Sequence, residues 1–265
     1  MSGRSVVDLA AQHILGHLTN GRPLFVALQG PQGSGKSYLA AKLQTNLESS
    51  PHSLGVAVLS IDDLYLPHDA LAKLAQSDNL LWKGRGLPGT HDVALGIDIL
   101  KALKSGRCQI ELPRFDKSLH NGEGDRLPLD GTGIVIYQPP PLDIVILEGW
   151  FVGFSSIPKD EVYVRWHGVW NDEREKLGLT EAELGTLANV EDVNEQLKSY
   201  EEIWQFFDVF IQLKAIPPAS ATLSKYAVVY DWRLQQEHNM MAMNGGKGMN
   251  DAAVISFVTL AAQKT

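Results

Sequence analysis

The chain has little cysteine, no surplus of positive charge and no long apolar run. Cys108 stands alone among 265 residues. That excludes an intrachain disulfide framework and a multi-cysteine metal site, fits a reducing compartment, and leaves Cys108 as a small structural residue. Acidic residues outnumber Lys and Arg by 31 to 23, a net charge of -8. Broad contact with a nucleic-acid backbone needs clustered Lys and Arg, so nucleic acid is not an expected partner and any anionic ligand must be held locally. The most apolar run, "IVILEGWFVGF", is interrupted by Glu148 and is too short to cross a bilayer as a helix. The N-terminal residues Val7, Ala11, Ile14, Leu15 and Leu18 recur at helical spacing, which reads as an amphipathic helix within residues 1–20 rather than as a signal peptide. A soluble protein of the cytoplasm or nucleus, with no membrane partner, is expected.

What the chain does have is a succession of short buried runs separated by helical patterns. "LFVALQ" has strand length, "SYLAAKLQTNL" restores helical spacing through Leu39, Leu43 and Leu47, and "GVAVLSI" reads as a second buried strand. Strand, loop, helix, strand is the unit of a parallel sheet. "NGRP" and "SSPHS" are turn chemistry. "DALAKLAQ" and "VALGIDILKALKSG" predict further helices, "PLDIVILEGWF" a third strand, "FDVFIQLKA" a fourth, and "YDWRLQQEHNMM" and "NDAAVISFVTLAA" two more helices on either side of "NGGKG". Between them "LPRFDKSLHNGEGDRLP" is long, charged and without periodicity, a pattern typical of a functional loop. Residues 155–200 read as helical in parts and as an insertion. There is no internal repeat or linker, so one domain spanning 1–265 is expected.

"GPQGSGKS" satisfies G-x-x-x-x-G-K-S after a strand and at the start of a helix, where its mechanism requires it. Glycines at 30, 33 and 35 allow successive N–H groups to turn inward around phosphate oxygens, and the helix adds its positive end. Lys36 is placed to reach the β- and γ-phosphates and the Ser37 hydroxyl to ligate magnesium. The expected nucleotide-binding set is Gly30, Pro31, Gln32, Gly33, Ser34, Gly35, Lys36, Ser37 and Tyr38. This motif alone leaves GTPases, ATPases, motors and small-molecule kinases open.

The acidic residues narrow the choice. Glu148 ends a buried strand, where open α/β sheets place their ligand crevice, and can hold magnesium there; its plainer use is to cap a neighbouring helix. Asp62 and Asp63, in "SIDDLYL", end the second strand at the same edge. Asp62 is placed to take the proton of an attacking hydroxyl, with Asp63 read as a cap or turn residue.

With these residues in view, "GPQGSGKS", "SIDDLYL", "GRGLPGTHD", "LPRFDKS...GEGDR", "ILEGWFVGF" and "VYDWRLQQEH" together resemble the P-loop kinases that include plant-type D-glycerate 3-kinase and fungal ATP-dependent kinases. More distantly they are similar to uridine kinase, phosphoribulokinase and bacterial pantothenate kinase. The resemblance runs from about Leu24 to about Phe257. It implies a three-layer α/β P-loop NTPase fold, a mostly parallel sheet with helices on both faces and a helical lid at 226–245. It also implies ATP and Mg2+ as cofactors and transfer of the γ-phosphoryl group to a hydroxyl of glycerate or another anionic metabolite. Asp62 falls at the acceptor-activating aspartate and Glu148 at the carboxylate after the third strand. Arg85, His91, Asp92, Arg114, Asp116, Lys117 and Arg126 fall in an acceptor pocket, where guanidinium forks suit a carboxylate or phosphate; loop-pinning ion pairs are their plainer use. Arg233 falls in the lid, to reach the transferring phosphate, or to pair with Glu237 one turn on. The family pattern continues past Phe257 with an arginine and then a proline and tyrosine, where this chain reads "VTLAAQKT", a departure that bears on the last helix and on lid closure. The alternative to a working kinase is an ATP-binding regulatory or interaction protein with the same fold and little turnover.

Overall fold

The computed structural model describes residues 5–18, 23–181, 185–214, 224, 227–243, 250, 251 and 254. The expected turn at 20–22, Ala215, the "NGGKG" segment and the final helix fall, wholly or almost wholly, outside them.

Four parallel strands build the central sheet: β1 (Leu24–Gln29), β2 (Val56–Ser60), β7 (Ile144–Gly149) and β8 (Val209–Gln212), in the order β2-β7-β1-β8. Every residue of β1 and β7 is buried, which is why both read as unbroken apolar runs. Period-two alternation sends Leu24, Val26 and Leu28 to one face and Phe25 and Ala27 to the other. On the first face they pack with Ile144, Ile146 and Val209 against α1 (Val6–His17) and α2 (Lys36–Glu48), through Ile14, Leu39, Leu43 and Leu47. On the second, Phe25, Ala57, Leu59, Val145 and Leu147 pack on α4 (Val93–Ser105) and α7 (Leu187–Trp204), through Leu100, Leu103, Tyr200 and Ile203. Each such Leu, Ile, Val or Phe contributes about 1.5–3 kcal/mol of burial, so the sheet is the rigid floor on which the site stands. Helices on both faces of a parallel sheet make the three-layer α/β architecture expected from the sequence.

Register carries the consequence for function. Ser60 pairs with Glu148, and Glu148 with Leu28, so β1, β2 and β7 end along one edge. After β2 the chain makes a single 3-10 turn, Ile61–Leu64, and α3 (His68–Leu74) follows. Asp92 caps α4 by accepting the Leu95 N–H at 3.0 Å, and Gly106 ends it at φ 71°.

The long charged segment is more ordered than its pattern suggests. β3 (Gln109–Glu111) pairs with β6 (Val135–Tyr137), and between them β4 (Phe115–Asp116) pairs with β5 (Asp125–Arg126) around a 3-10 turn at His120–Gly122. These strands of two or three residues are too short to carry a period, and side-chain anchors, not pattern, hold them. α5 (Lys159–His167), α6 (Val169–Leu177) and most of α7 occupy 155–200, and α8 (Ala227–Met243) occupies the expected lid region. Among the described residues no helix is long and apolar enough to cross a membrane.

Candidate active site

The phosphate cradle lies between β1 and α2. Gly33 and Gly35 take φ of 78° and 83°, a left-handed backbone that side chains strongly disfavour. Gly30 has ordinary φ, but a Cβ there would lie 2.7 Å from Ser34 Oγ. α2 has no acidic residue in its own first turn and no side-chain cap, so its orphan N–H groups and positive end face the loop. Pro31, Gln32, Ser34 and Lys36 are half-buried in or beside the turn, with Gln32 Oε1 and Ser34 Oγ buried and without a partner among the described residues. Tyr38 differs: it is 68% exposed, and Lys42 Nζ lies 5.5 Å over its ring. α8 covers the loop, since a Cβ on Gly33 would approach Trp232 Cβ to 2.7 Å and the Arg233 backbone N to 3.1 Å. The Arg233 side chain meets Glu237 at 3.2 Å and Gln236 Oε1 at 3.2 Å.

Glu148 comes to this cradle from β7. Ser37 Oγ donates to its Oε1 at 2.7 Å, while Oε2 is buried with no partner among the described residues. A hydroxyl and a carboxylate with a spare lone pair are the oxygen donors a hard cation prefers. Among the described residues no cluster of three His, Cys, Asp or Glu could hold a metal. Two protein oxygens suit Mg2+, which keeps waters and takes its other ligands from phosphates. The residues therefore fit the ion, through Ser37 and Glu148.

Asp62 and Asp63 lie in the 3-10 turn after β2, whose start Ser60 Oγ caps by accepting the Asp62 N–H at 3.3 Å. The two carboxylates have opposite surroundings. Asp62 Oδ1 accepts from the Tyr65 hydroxyl at 3.0 Å, and Lys117 Nζ donates to Oδ2 at 2.6 Å. Burial by itself would raise the Asp62 carboxyl, but the charge and hydrogen bond of Lys117, helped by Lys36 and His91, outweigh it and hold the group at about 2. Asp63 accepts the Phe115 N–H at 3.2 Å, pinning β4 to the sheet edge. Burial pushes it up to about 6 against that hydrogen bond, with the Asp62 charge adding to the rise.

Behind Asp62 stands an aromatic stack. Tyr65 packs face to face on His91 at 4.5 Å, and His91 Nδ1 lies 2.9 Å from the Tyr200 hydroxyl. That hydroxyl also accepts the Gly89 N–H at 3.0 Å, so Tyr200 ties the His91 ring to the Gly89 backbone. Burial lowers the His91 pKa to about 3, despite the attraction of Asp62, and the ring is neutral.

The remaining acceptor candidates divide. Arg85 Nη1 donates to the carbonyls of Gly122, at 2.7 Å, and Glu123, and the guanidinium lies 5.5 Å from the Phe115 ring. Its pKa is lowered by burial, with Tyr65 and Asp62 opposing, which puts it within electrostatic reach of the site. Arg126 pairs with Asp92 at 2.7 Å, the same aspartate that caps α4. Asp116 accepts from the Ser118 N–H at 2.8 Å and hydroxyl at 2.6 Å, closing its own turn. Arg114 donates to Thr132 Oγ1 at 3.1 Å, on the β5–β6 connection. The structure thus gathers Asp62, Lys117, Tyr65 and His91, with Arg85 beside them, while Asp116 closes its own turn, Arg114 ties to the β5–β6 connection and Arg126 ties β5 to the start of α4. Tyr65, Tyr200 and Trp232 are absent from the sequence-derived set. Tyr65 follows Asp62 by three positions in a turn, which was a usable signal; nothing local marks Tyr200.

An anion cradle, a Ser–Glu oxygen pair and a second carboxylate along one sheet edge define a P-loop phosphotransferase. No family model matches the chain. It is 37% identical over 245 residues to the probable ATP-dependent kinase TDA10 of Saccharomyces cerevisiae, covering 89% of this chain and 74% of that one. It is 30% identical over 244 residues to the chloroplastic D-glycerate 3-kinase of Arabidopsis thaliana, covering 89% of this chain and 46% of the relative. Among solved structures, D-glycerate 3-kinase from Cryptococcus neoformans var. grubii superposes with a TM-score of 0.81 at 35% identity, covering 98% of this chain and 87% of that one. The chain belongs to this family of ATP-dependent P-loop kinases, enzymes that pass a phosphoryl group to a hydroxyl acceptor.

Proposed function

We propose that the protein transfers the γ-phosphoryl group of ATP to a hydroxyl of glycerate or a closely similar small hydroxy acid, within a single domain that carries both halves of the site. The observation that carries this reading is the pairing of Asp62 with Lys117 at 2.6 Å, on the sheet edge shared with the phosphate cradle. A base and an anion-binding cation side by side suit an acceptor bearing both a hydroxyl and a negative group. The named D-glycerate 3-kinases among its relatives point to the same chemistry.

The loop from Gly30 to Lys36 binds the phosphates, Lys36 meeting the β- and γ-oxygens. Ser37 and Glu148 are the residues that would hold Mg2+, which when bound would supply neutralisation of phosphate charge. Asp62 accepts the acceptor hydroxyl's proton as the new O–P bond forms and the bond to the β,γ-bridging oxygen breaks, releasing ADP. Tyr65 orients Asp62, His91 and Tyr200 brace Tyr65, and Arg85 adds positive potential. Arg233 reaches the transferring phosphate once it leaves Glu237. Nucleic acid has no part in the reaction.

The test is acceptor-dependent ADP release with D-glycerate, pantothenate and uridine. Turnover with D-glycerate is expected, Lys36→Ala is expected to lose ATP binding, and Asp62→Asn to keep it while losing about 10²–10⁴-fold in kcat. If no acceptor raises ADP release above the Asp62→Asn background, the protein is a non-catalytic ATP binder. If both variants lose ATP affinity equally, Asp62 is not the base.

A further inference from the structure

Both carboxylate oxygens of Asp62 are already engaged, Oδ1 by Tyr65 and Oδ2 by Lys117. The Tyr65 contact orients the carboxylate; the Lys117 contact occupies the oxygen left to accept a proton and places a full positive charge on it. We propose that the Lys117–Asp62 ion pair is a latch that the acceptor's own anionic group opens, so that the base is freed only when a hydroxy acid is bound. This rests on the reading of Asp62 as the acceptor's base.

Three features of the structure support it. The Lys117 side chain is 56% exposed, so it can swing into the crevice without disturbing the core. Its backbone is held on both sides, by the Phe115 N–H on Asp63 and by the turn that Asp116 closes with Ser118. The neighbouring cations are committed elsewhere, Arg85 to two carbonyls and Arg126 to Asp92. Lys117 is thus the cation whose recruitment by an acceptor anion simultaneously releases Asp62.

The exchange conserves charge: the acceptor's carboxylate replaces Asp62 as the counter-ion of Lys117. With that cation withdrawn, the groups around Asp62 among the described residues are Lys36, Arg85, neutral His91, Tyr65 and Asp63. Asp62 then becomes more basic, and the hydroxyl proton passes to Oδ2 as the oxygen–phosphorus bond forms and ADP leaves. Release of that proton to solvent and return of Lys117 close the cycle. Water and neutral alcohols offer nothing to Lys117, so the latch also suppresses wasteful ATP hydrolysis.

Two experiments test the latch. The first compares wild type, Lys117→Met and Lys117→Arg with D-glycerate, with glycerol, which lacks the anion, and with no acceptor. Lys117→Met is expected to lower the glycerate-to-glycerol ratio of kcat/KM by about 10–100-fold and to raise acceptor-free ATP hydrolysis, whereas Lys117→Arg keeps the ratio. An unchanged ratio overturns the latch, as does a lowered ratio with unchanged acceptor-free hydrolysis, which would make Lys117 a binding residue only. The second follows the Asp62 carboxyl carbon by NMR titration, assigned with Asp62→Asn. Its midpoint is expected to rise on adding D-glycerate to wild type and not to Lys117→Met. A midpoint that does not move overturns the latch even if catalysis is never observed, while absent turnover with a moving midpoint counts against the parent reading alone.

Discussion

Replacing Gly33 and Gly35 separately by alanine measures how firmly α8 sits on the phosphate cradle. Both residues have left-handed φ, 78° and 83°, so either substitution costs about 1–2 kcal/mol of backbone strain. Their surroundings differ. A Cβ at Gly35 meets nothing among the described residues within 4 Å, whereas one at Gly33 falls 2.7 Å from Trp232 Cβ, 3.0 Å from its carbonyl carbon and 3.1 Å from the Arg233 nitrogen. Two of those three atoms are backbone and cannot move aside by changing rotamer, so α8 must retreat. Overpacking of this kind adds about 1–3 kcal/mol, or α8 detaches and that much packing is lost. At about 2–4 °C per kcal/mol for a chain of this size, Gly33→Ala is expected to melt about 2–12 °C below Gly35→Ala. It is also expected to expose α8 to limited proteolysis. Equal midpoints and equal cleavage patterns in the two variants would refute the contact between α8 and the loop.

Asp63 makes stability depend on pH in a direction set by its raised pKa. The folded protein holds the proton more tightly than the unfolded chain, so its contribution is fully present below about pH 4 and is lost as pH rises through about 6. Asp63→Asn keeps an acceptor for the Phe115 N–H, and is expected to gain up to about 3 kcal/mol over wild type at pH 8 and nothing at pH 4, by denaturant titration. Asp62 has the opposite sign: its contribution is fully present above about pH 4 and is lost as pH falls toward 2. Asp92→Ala removes the cap of α4 and the partner of Arg126 together, and should cost about 2 kcal/mol, measured by chemical unfolding, with little change in KM for ATP. Glu148→Gln keeps an acceptor for Ser37 but loses the charge beside it; the Mg2+ concentration for half-maximal activity should rise about tenfold or more, while the melting midpoint stays within a few degrees.

Most of the strands and helices that pack on the sheet were legible because each carries its own periodicity; α7 was not, since 155–200 read only as helical in parts and as an insertion, whereas Tyr200 and Ile203 pack on the sheet. The continuous apolar runs of β1 and β7 and the Leu39–Leu43–Leu47 stripe of α2 announce buried strands and a one-sided helix without reference to the rest of the chain. β3 to β6 were not legible, because strands of two or three residues have no period and depend on anchors such as Asp63 to Phe115. In the site, Arg114, Asp92, Asp116 and Arg126 are charged residues that the structure pairs with Thr132, with each other or within one turn. A long charged side chain has many partners within reach, and sequence does not say which one the fold presents.

The donor half of the site is thus written into the chain itself. A phosphate cradle is made from contiguous backbone, with glycines where φ must be positive and a lysine and serine at the head of the next helix, so its chemistry survives in any eight-residue reading. The acceptor residues could be located in the sequence, but the pairings that assemble the site were decided by tertiary structure. Asp62 and Lys117 are 55 positions apart, His91 and Tyr200 109, Ser37 and Glu148 111. Only the parallel sheet, by ending its strands along one edge, brings such distant groups within hydrogen-bonding distance, where the charge on one sets the basicity of the other.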